Sequence, residues 1–289
     1  RWFPSLNAGY NVRENFIARA GYYWSIGRPD YNQYAGGLTL PDLSLPASNT
    51  NRTTVNNIGV KAWSAKTLKF SLEYYFERVG LISVSAYQRK IKDFFAVTVF
   101  TPGAGFLELY GLDPGIYGGY DVSTQYNLAT PVKMSGVDVN YKQALTFLPT
   151  WARGIQVFAN IGSQRMTGDE SGSFAGYIPR TYNWGVSLTR PRFNVRMNWN
   201  YSGRARRGFV APGRSIEPGT YTWGSKRMIV DASAEVVVRR GWSAFVNLSN
   251  LGDEPIDLEI AGPSTPEHAQ FSQRTNYGAQ WTLGMRGTF

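Results

Sequence analysis

The 289-residue chain contains no cysteine and a single histidine, His268. These absences remove disulfides, thiolate metal sites and cysteine nucleophiles together, and they suit a protein that must cross an oxidising periplasm unfolded. The sequence also lacks a nucleophile elbow, a phosphate loop and a His-rich metal motif. No catalytic residue, cofactor or metal site is therefore expected. What remains for such chemistry is scattered carboxylates, such as Asp169-Glu170 and Asp253-Glu254. Adjacent strand residues point to opposite faces, so these pairs make poor acid–base dyads, and only in loops would they suit a Ca²⁺ ion.

Long apolar runs are missing too. No run approaches the roughly 18 residues of a membrane-spanning helix, which excludes a helical membrane protein. A leader is not visible: Arg1-Trp2-Phe3-Pro4 opens directly into a strand-like pattern, so the chain reads as processed or as part of something longer. The formal charge is +10, yet the basic residues are dispersed, with Arg204, Arg206 and Arg207 the densest group. Nucleic acid is accordingly not an expected partner.

Aromatic residues and period-two alternation are abundant. Aromatics make up 15% of the chain, well suited to strands. From Leu68 to Phe76, the residues Leu68, Phe70, Leu72, Tyr74 and Phe76 share one face, while Lys69, Ser71, Glu73 and Tyr75 share the other. Likewise Phe193, Val195, Met197, Trp199 and Tyr201 oppose Asn194, Arg196, Asn198 and Asn200. Such an apolar face needs an apolar cover.

Eleven strands are expected, at 4–12, 15–25, 66–77, 81–96, 119–146, 154–166, 177–190, 192–204, 226–239, 241–251 and 276–289. Short turns join them in pairs at Arg13-Glu14, Glu77 to Gly80, Leu148 to Gly154, Pro191 and Arg240-Gly241. The connections between pairs are longer, notably 26–65, 97–118, 205–225 and 252–275. Alternating short and long connections predict an all-β, antiparallel up-and-down barrel in an outer membrane, with the tight turns on its periplasmic side. The soluble alternative, a β-sandwich, has no reason to sort its loops in this way.

In such a barrel the apolar face meets lipid and the polar face lines the lumen. The lumen-facing set is then Arg19, Lys69, Glu73, Asp138, Asn140, Lys142, Asn160, Arg196, Asp231, Glu235, Gln280 and Arg286. Aromatics near strand ends, among them Tyr22, Trp24, Tyr74, Phe76, Trp151, Trp199, Tyr201, Trp223, Trp242 and Phe289, suit the membrane–water interface. An odd strand number would set the first and last strands parallel on closure, against the even-stranded habit of these barrels. Strands absent from this sequence are expected to supply the rest, because open edges in lipid are costly.

The residues also resemble a known family, the TonB-dependent receptors of the bacterial outer membrane. Phe3-Pro4-Ser5-Leu6-Asn7, Phe16-Ile17-Ala18-Arg19-Ala20 and Gly27-Arg28-Pro29-Asp30 are similar to its opening stretch, and Leu72 to Glu77, Gly80 to Val84 and Ile91 to Phe94 to one of its hairpins. Gly136 to Tyr141 with Leu145 to Pro149, Asn247 to Pro255, and Trp281 to Phe289 follow in the family's order. The segment 26–65 departs from the family wording, with Gly59-Val60-Lys61-Ala62-Trp63 in its place. The resemblance implies a barrel of 22 strands around an N-terminal plug, of which residues 1–289 would be the C-terminal part, the plug and the first strands lying outside this sequence. It further implies a last strand, with Trp281, Leu283 and Phe289, that is read by the barrel-assembly machinery, and a TonB complex acting through the plug.

On this reading the protein binds an extracellular nutrient, such as a siderophore or carbohydrate, and passes it to the periplasm, in contact with outer-membrane lipid or lipopolysaccharide. Ligand capture falls to the long loops, through Tyr31, Tyr34, Tyr110, Tyr117, Tyr120, Phe209, Tyr221, Trp223 and His268. Aromatic platforms stack on sugars and aryl groups, while Arg204, Arg206, Arg207 and Arg214 suit anions. Equally, such aromatics pack loops. A transporter-like barrel serving as an anchor among other envelope proteins, or a passive porin-like channel, are the alternatives.

Overall fold

The computed structural model describes residues 2–76, 80–168, 174–210, 212–213 and 216–287. Eleven strands form one sheet, in which each pairs antiparallel with the next. They are β1 (Ser5–Arg13), β2 (Phe16–Gly27), β3 (Trp63–Phe76), β4 (Gly80–Lys92), β5 (Val132–Ala144), β6 (Ile155–Thr167), β7 (Arg180–Thr189), β8 (Phe193–Ser202), β9 (Arg227–Arg239), β10 (Trp242–Ser249) and β11 (Gln280–Gly287). β1 and β11 are its two edges, so the sheet is open among the described residues. No described helix is long and apolar enough to cross a membrane.

Register confirms that the alternation is shared across strands. Leu72 faces Ala18 and Val84, Val84 faces Val139, and Val139 faces Ile161, so one apolar face runs through five strands. Further along, Trp184 stacks on Trp199 at 6.2 Å between centroids and Tyr182 on Tyr201 at 5.2 Å. Such direct cross-strand pairs fix register, because a slip of one residue would carry every aromatic to the other face. The polar face solves a different packing problem. The rings of Tyr87, Phe158 and Phe245 lie over Gly136, Gly185 and Gly284 of neighbouring strands, where a Cβ would come within 2.6 Å, 2.6 Å and 2.5 Å of them.

Tight connections close one end of the wall. At 240–241 Gly241 has φ +80°, and in the 145–154 connection Gly154 has φ +96° with the Thr189 carbonyl oxygen 2.4 Å from where its Cβ would stand. Only glycine fits there. Residues 77–79 of the turn from Glu77 to Gly80 lie outside the described residues.

At the opposite end the long connections are folded, which the local alternation does not reveal. Leu38–Thr39, Thr53–Val55, Val122–Asn127 and Phe95–Phe100 make one four-stranded sheet. Ala205–Phe209, Tyr221–Gly224, Ile256–Ala261 and Phe271–Thr275 make another. Two expected strands are corrected accordingly. The strand expected at 81–96 stops at Lys92, because Asp93 takes φ +56°, and its last residues belong to the first loop sheet. The strand expected at 119–146 is two, Val122–Asn127 in that loop sheet and β5 in the wall, divided before Pro131-Val132. Pro131 brings no N–H to a ladder, so it suits the position just before β5, and the loop sheet captures the first half of the expected strand. Trp223, expected at a wall-strand end, lies in the second loop sheet, and β11 begins at Gln280 rather than near 276.

A buried cluster of Ala65, Ile91, Ala96, Leu128, Val132 and Phe174 joins wall and loops. Phe94 and Phe174 stack in it at 4.6 Å between centroids. It sits on the polar side of β3, β4 and β5, at their loop ends, where apolar side chains can be covered by the chain itself.

Candidate functional site: the polar face and the folded loops

The nine charged residues Arg19, Lys69, Glu73, Asp138, Lys142, Arg196, Asp231, Glu235 and Arg286 all fall on the face opposite Leu72, Val139 and Trp199. The structure joins some of them. Arg19 Nε lies 3.0 Å from Glu73 Oε1, and the Tyr75 hydroxyl donates to Glu73 Oε2 at 3.0 Å. Asp231 accepts from Asn200 Nδ2 at 3.3 Å and from the Asn250 N–H at 3.0 Å, while Glu235 accepts from the Ser243 hydroxyl at 2.6 Å. Lys142 and Arg196 line a recess of about 550 Å³ with Asn140, Gln156, Asn183 and Asn198. Asn198 Oδ1 is buried there without a hydrogen-bond partner. Such a recess offers cationic and amide donors but no paired carboxylates, so it can hold a polar or anionic guest and has no acid–base machinery.

The loop residues divide into two groups. Tyr31 and Tyr34 stand on a short helix, Tyr31–Ala35, with Tyr31 91% exposed. Tyr110 follows the helix Ala104–Leu109, its ring 5.0 Å from Phe106, and Tyr117 ends the helix Pro114–Tyr117. The Tyr120 hydroxyl donates to the Leu45 carbonyl at 3.0 Å, tying these connections together.

The second group is denser. Arg206 faces Trp223 in register, and its guanidinium lies 4.1 Å from the Tyr221 ring centroid and 5.0 Å from that of Trp223. Arg204 lies 4.5 Å from the Trp223 centroid, pairs with Glu259 Oε2 at 2.7 Å and donates to Gln270 Oε1 at 2.9 Å. Phe209 meets Tyr221 edge-on, and Tyr221 is fully buried. Tyr221 is thus a packing residue beneath the arginines rather than an open platform. Arg207 and His268 are exposed, His268 on the 3-10 turn Glu267–Ala269. Arg214, Asp169, Glu170 and Phe289 lie outside the described residues. Trp281 and Leu283 of β11 face the apolar side and are 70% and 75% exposed.

Partners invisible in the sequence complete this region. Arg274 binds Asp257 through two contacts of 2.7 Å, which hold the Asp257 carboxyl below the usual carboxylate range and raise Arg274. The Ser264 hydroxyl and its backbone N–H likewise lower Glu217. Asn250, at φ +55°, accepts from the Glu254 N–H at 2.9 Å and donates to the Glu254 carbonyl at 3.1 Å, shaping the root of the last long loop. The Glu217–Ser264 contact joins two separate loops, so only the pairing of the two connections brings those residues together. Asp253, at φ +50°, accepts from Asn276 at 3.4 Å. Among the described residues no three His, Asp or Glu side chains gather as a metal site.

No protein of curated function matches the sequence. Solved structures do resemble the fold. A mutant ferric enterobactin receptor, PfeA, from Pseudomonas aeruginosa in complex with enterobactin aligns with all of this chain and 41% of its own, at 14% identity and a TM-score of 0.68. The siderophore receptor PirA from Pseudomonas aeruginosa aligns with all of this chain and 42% of its own, at 14% identity and a TM-score of 0.62. The copper transporter OprC aligns with 99% of this chain and 39% of its own, at 13% identity and a TM-score of 0.63. The chain therefore spans about two fifths of these structures' length. Residues 1–251 match the family described as TonB dependent receptor-like, beta-barrel, and with that match over most of its length the chain belongs to this family of bacterial outer-membrane receptor barrels.

Proposed function

We propose that the chain is the C-terminal barrel portion of an outer-membrane receptor that captures an anionic nutrient complex, such as a ferric siderophore, at its long loops and passes it along the polar face to the periplasm. The observation that carries this reading is the arginine cluster of the second loop sheet, where Arg204 and Arg206 lie against Tyr221 and Trp223 and Arg207 stands beside Gly224. Arg204 is neutralised by Glu259 and the Nε of Arg206 is buried, so the exposed Arg207 supplies the accessible donor capacity. The recess at Lys142 and Arg196 provides a second station of the same sign on the polar face. PfeA and PirA, which share the fold, are siderophore receptors, and this supports the ligand class. Release would depend on a TonB complex pulling a plug encoded outside this sequence, and the work is binding and gating rather than catalysis.

The test is titration of the intact detergent-extracted protein with ferric enterobactin, followed by tryptophan fluorescence. Saturable binding that weakens roughly tenfold in Arg207→Ala, the worth of one charge-assisted hydrogen bond, is expected. Absence of binding to the wild-type protein, or binding indifferent to both Arg207→Ala and Arg196→Ala, would sink the proposed ligand class.

A further inference from the structure

Charge is divided unequally between the two faces of the strand wall. The acidic residues of the eleven strands, Glu73, Asp138, Asp231 and Glu235, all lie on the polar face. On the apolar face, at the loop end, Lys66 of β3 stands directly opposite Lys90 of β4, and Lys90 directly opposite Lys133 of β5. Parity fixes the face: Lys66 alternates in step with Leu68, Phe70 and Leu72, Lys90 with Ala86 and Val84, and Lys133 with Val137 and Val139. Arg165 on β6, opposite Ser135, and Arg180 on β7, opposite Ser163, extend the row. All five side chains are exposed.

Like charges directly opposite one another on neighbouring strands repel. No carboxylate of the described strands shares their face, so the repulsion has no internal remedy. Trp24 adds a marker of depth. Its ring lies 4.2 Å from the Lys66 ammonium, and its indole N–H donates to the Tyr22 hydroxyl at 2.8 Å, an amphipathic pair of the kind found at a membrane–water boundary. Toward the other end of the same three strands this face carries Tyr74, Ile82 and Tyr141 and no charge. A general preference for anionic phospholipid would place cations at both ends of these strands; among the described residues of β3, β4 and β5 only the loop-side end of this face has them.

We propose that the row Lys66–Lys90–Lys133 binds the phosphorylated headgroup of an outer-leaflet glycolipid of the lipopolysaccharide type. The orientation rests on the outer-membrane reading given under Proposed function. Strand spacing of about 4.8 Å puts the three lysine stems within about 10 Å, inside the reach of one phosphorylated sugar headgroup. The rise of about 3.4 Å per residue sets Phe70 some 14 Å along the strand from Lys66, so acyl chains can lie on Phe70, Leu72 and Val84 while the ammonium groups snorkel to the phosphates. A free phosphate would use the lysines and leave the apolar strip below them without a role.

The test compares the intact protein with K66Q/K90Q/K133Q in phosphatidylcholine vesicles containing either lipopolysaccharide or phosphatidylglycerol at equal charge, reading retained lipid by mass spectrometry and the thermal midpoint. Wild type is expected to retain lipopolysaccharide through purification and to melt higher in its vesicles than in phosphatidylglycerol. The glutamine variant should lose affinity by roughly fivefold per lysine removed, while K66R/K90R/K133R keeps it. Heat-modifiable migration reports folding, and if the triple variant does not fold, Lys90→Gln at the centre of the row carries the same readings. Equal retention by the glutamine variant, equal stabilisation by phosphatidylglycerol, or saturation of the site by inorganic pyrophosphate would each overturn the proposal. Ferric enterobactin binding is expected to be unchanged in these variants; its loss in wild type would strike the receptor reading and leave the lipid site standing.

Discussion

The two loop sheets are built on opposite principles. The strands of the first, Leu38–Thr39, Thr53–Val55, Phe95–Phe100 and Val122–Asn127, contain no charged residue. Their support is burial and amide bonding: Val122, Ala96 and Thr53 are fully buried, and Asn127 Nδ2 donates to the Lys61 carbonyl at 2.8 Å and the Asp93 carbonyl at 2.7 Å. In the second sheet Arg206, Arg207, Asp257, Glu259 and Arg274 lie within the strands, and ion pairs and cation–aromatic contacts hold all of these but Arg207. Exposed ion pairs contribute little stability. The charged sheet therefore trades rigidity for accessible charge, and the neutral sheet fastens the loop layer to the wall.

The sharpest way to break that contrast is to remove the neutral sheet's foundation. Leu128 is 2% exposed in the cluster with Ala65, Ile91 and Val132. Leu128→Ala should cost about 2–5 kcal/mol through lost burial and a cavity. Hydrogen exchange is expected to show Val122–Asn127 opening while Ile256–Ala261 keeps its protection. Equal loss in both sheets would mean that they form one cooperative unit.

How much of this the sequence discloses depends on strand length. β3, with 14 residues, and β5, with 13, repeat the alternation often enough to define a face, and the polar positions from Arg19 to Arg286 follow from parity alone. Thr53–Val55 and Leu38–Thr39 are 3 and 2 residues long, too short for any period, and Thr53–Val55 pairs parallel with Val122–Asn127 from another loop. Nothing local encodes that pairing. The arginines and aromatics of the second sheet are visible as a group, but the sequence does not tell that Tyr221 is buried or that Glu259 and Gln270 bind Arg204. Those follow from Tyr221–Gly224 pairing with Ile256–Ala261 across two loops. The opposed lysines of β3, β4 and β5 are equally a product of register, since no single strand's pattern shows which lysines face one another.

A smaller effect sharpens the contrast from the charged side. Arg204→Ala removes one partly exposed ion pair and one cation–aromatic contact, together about 1–2 kcal/mol. Limited proteolysis should then cut within 250–279 faster than within 93–131. High salt should mimic part of the change in the second sheet and leave the first alone. Faster cleavage in 93–131 instead would show that the neutral sheet depends on the charged one.

The smallest effect is the response to acid, and its sign follows from the carboxylates of the second sheet. Asp257, held by Arg274, and Glu217, held by Ser264, both have folded-state affinities for protons lowered below their ordinary values. Their contribution to stability is complete above the unfolded-chain values of about 3.9 and 4.3. As pH falls below those values the unfolded loop takes up protons first, and the contribution is lost as pH passes through the lower, folded values. Between pH 5 and 8 proteolysis of 250–279 should therefore be flat, rising only in stronger acid. Asp257→Asn should open the segment at neutral pH and flatten its acid response, because one of the two lowered carboxylates would be gone. Both substituted and native proteins are read with an acid-active protease, with cleavage at Phe95–Phe100 as the internal reference. A parallel rise at that reference would show that acid loosens the buried cluster shared by wall and loops, and the division of labour between the two sheets would then fail.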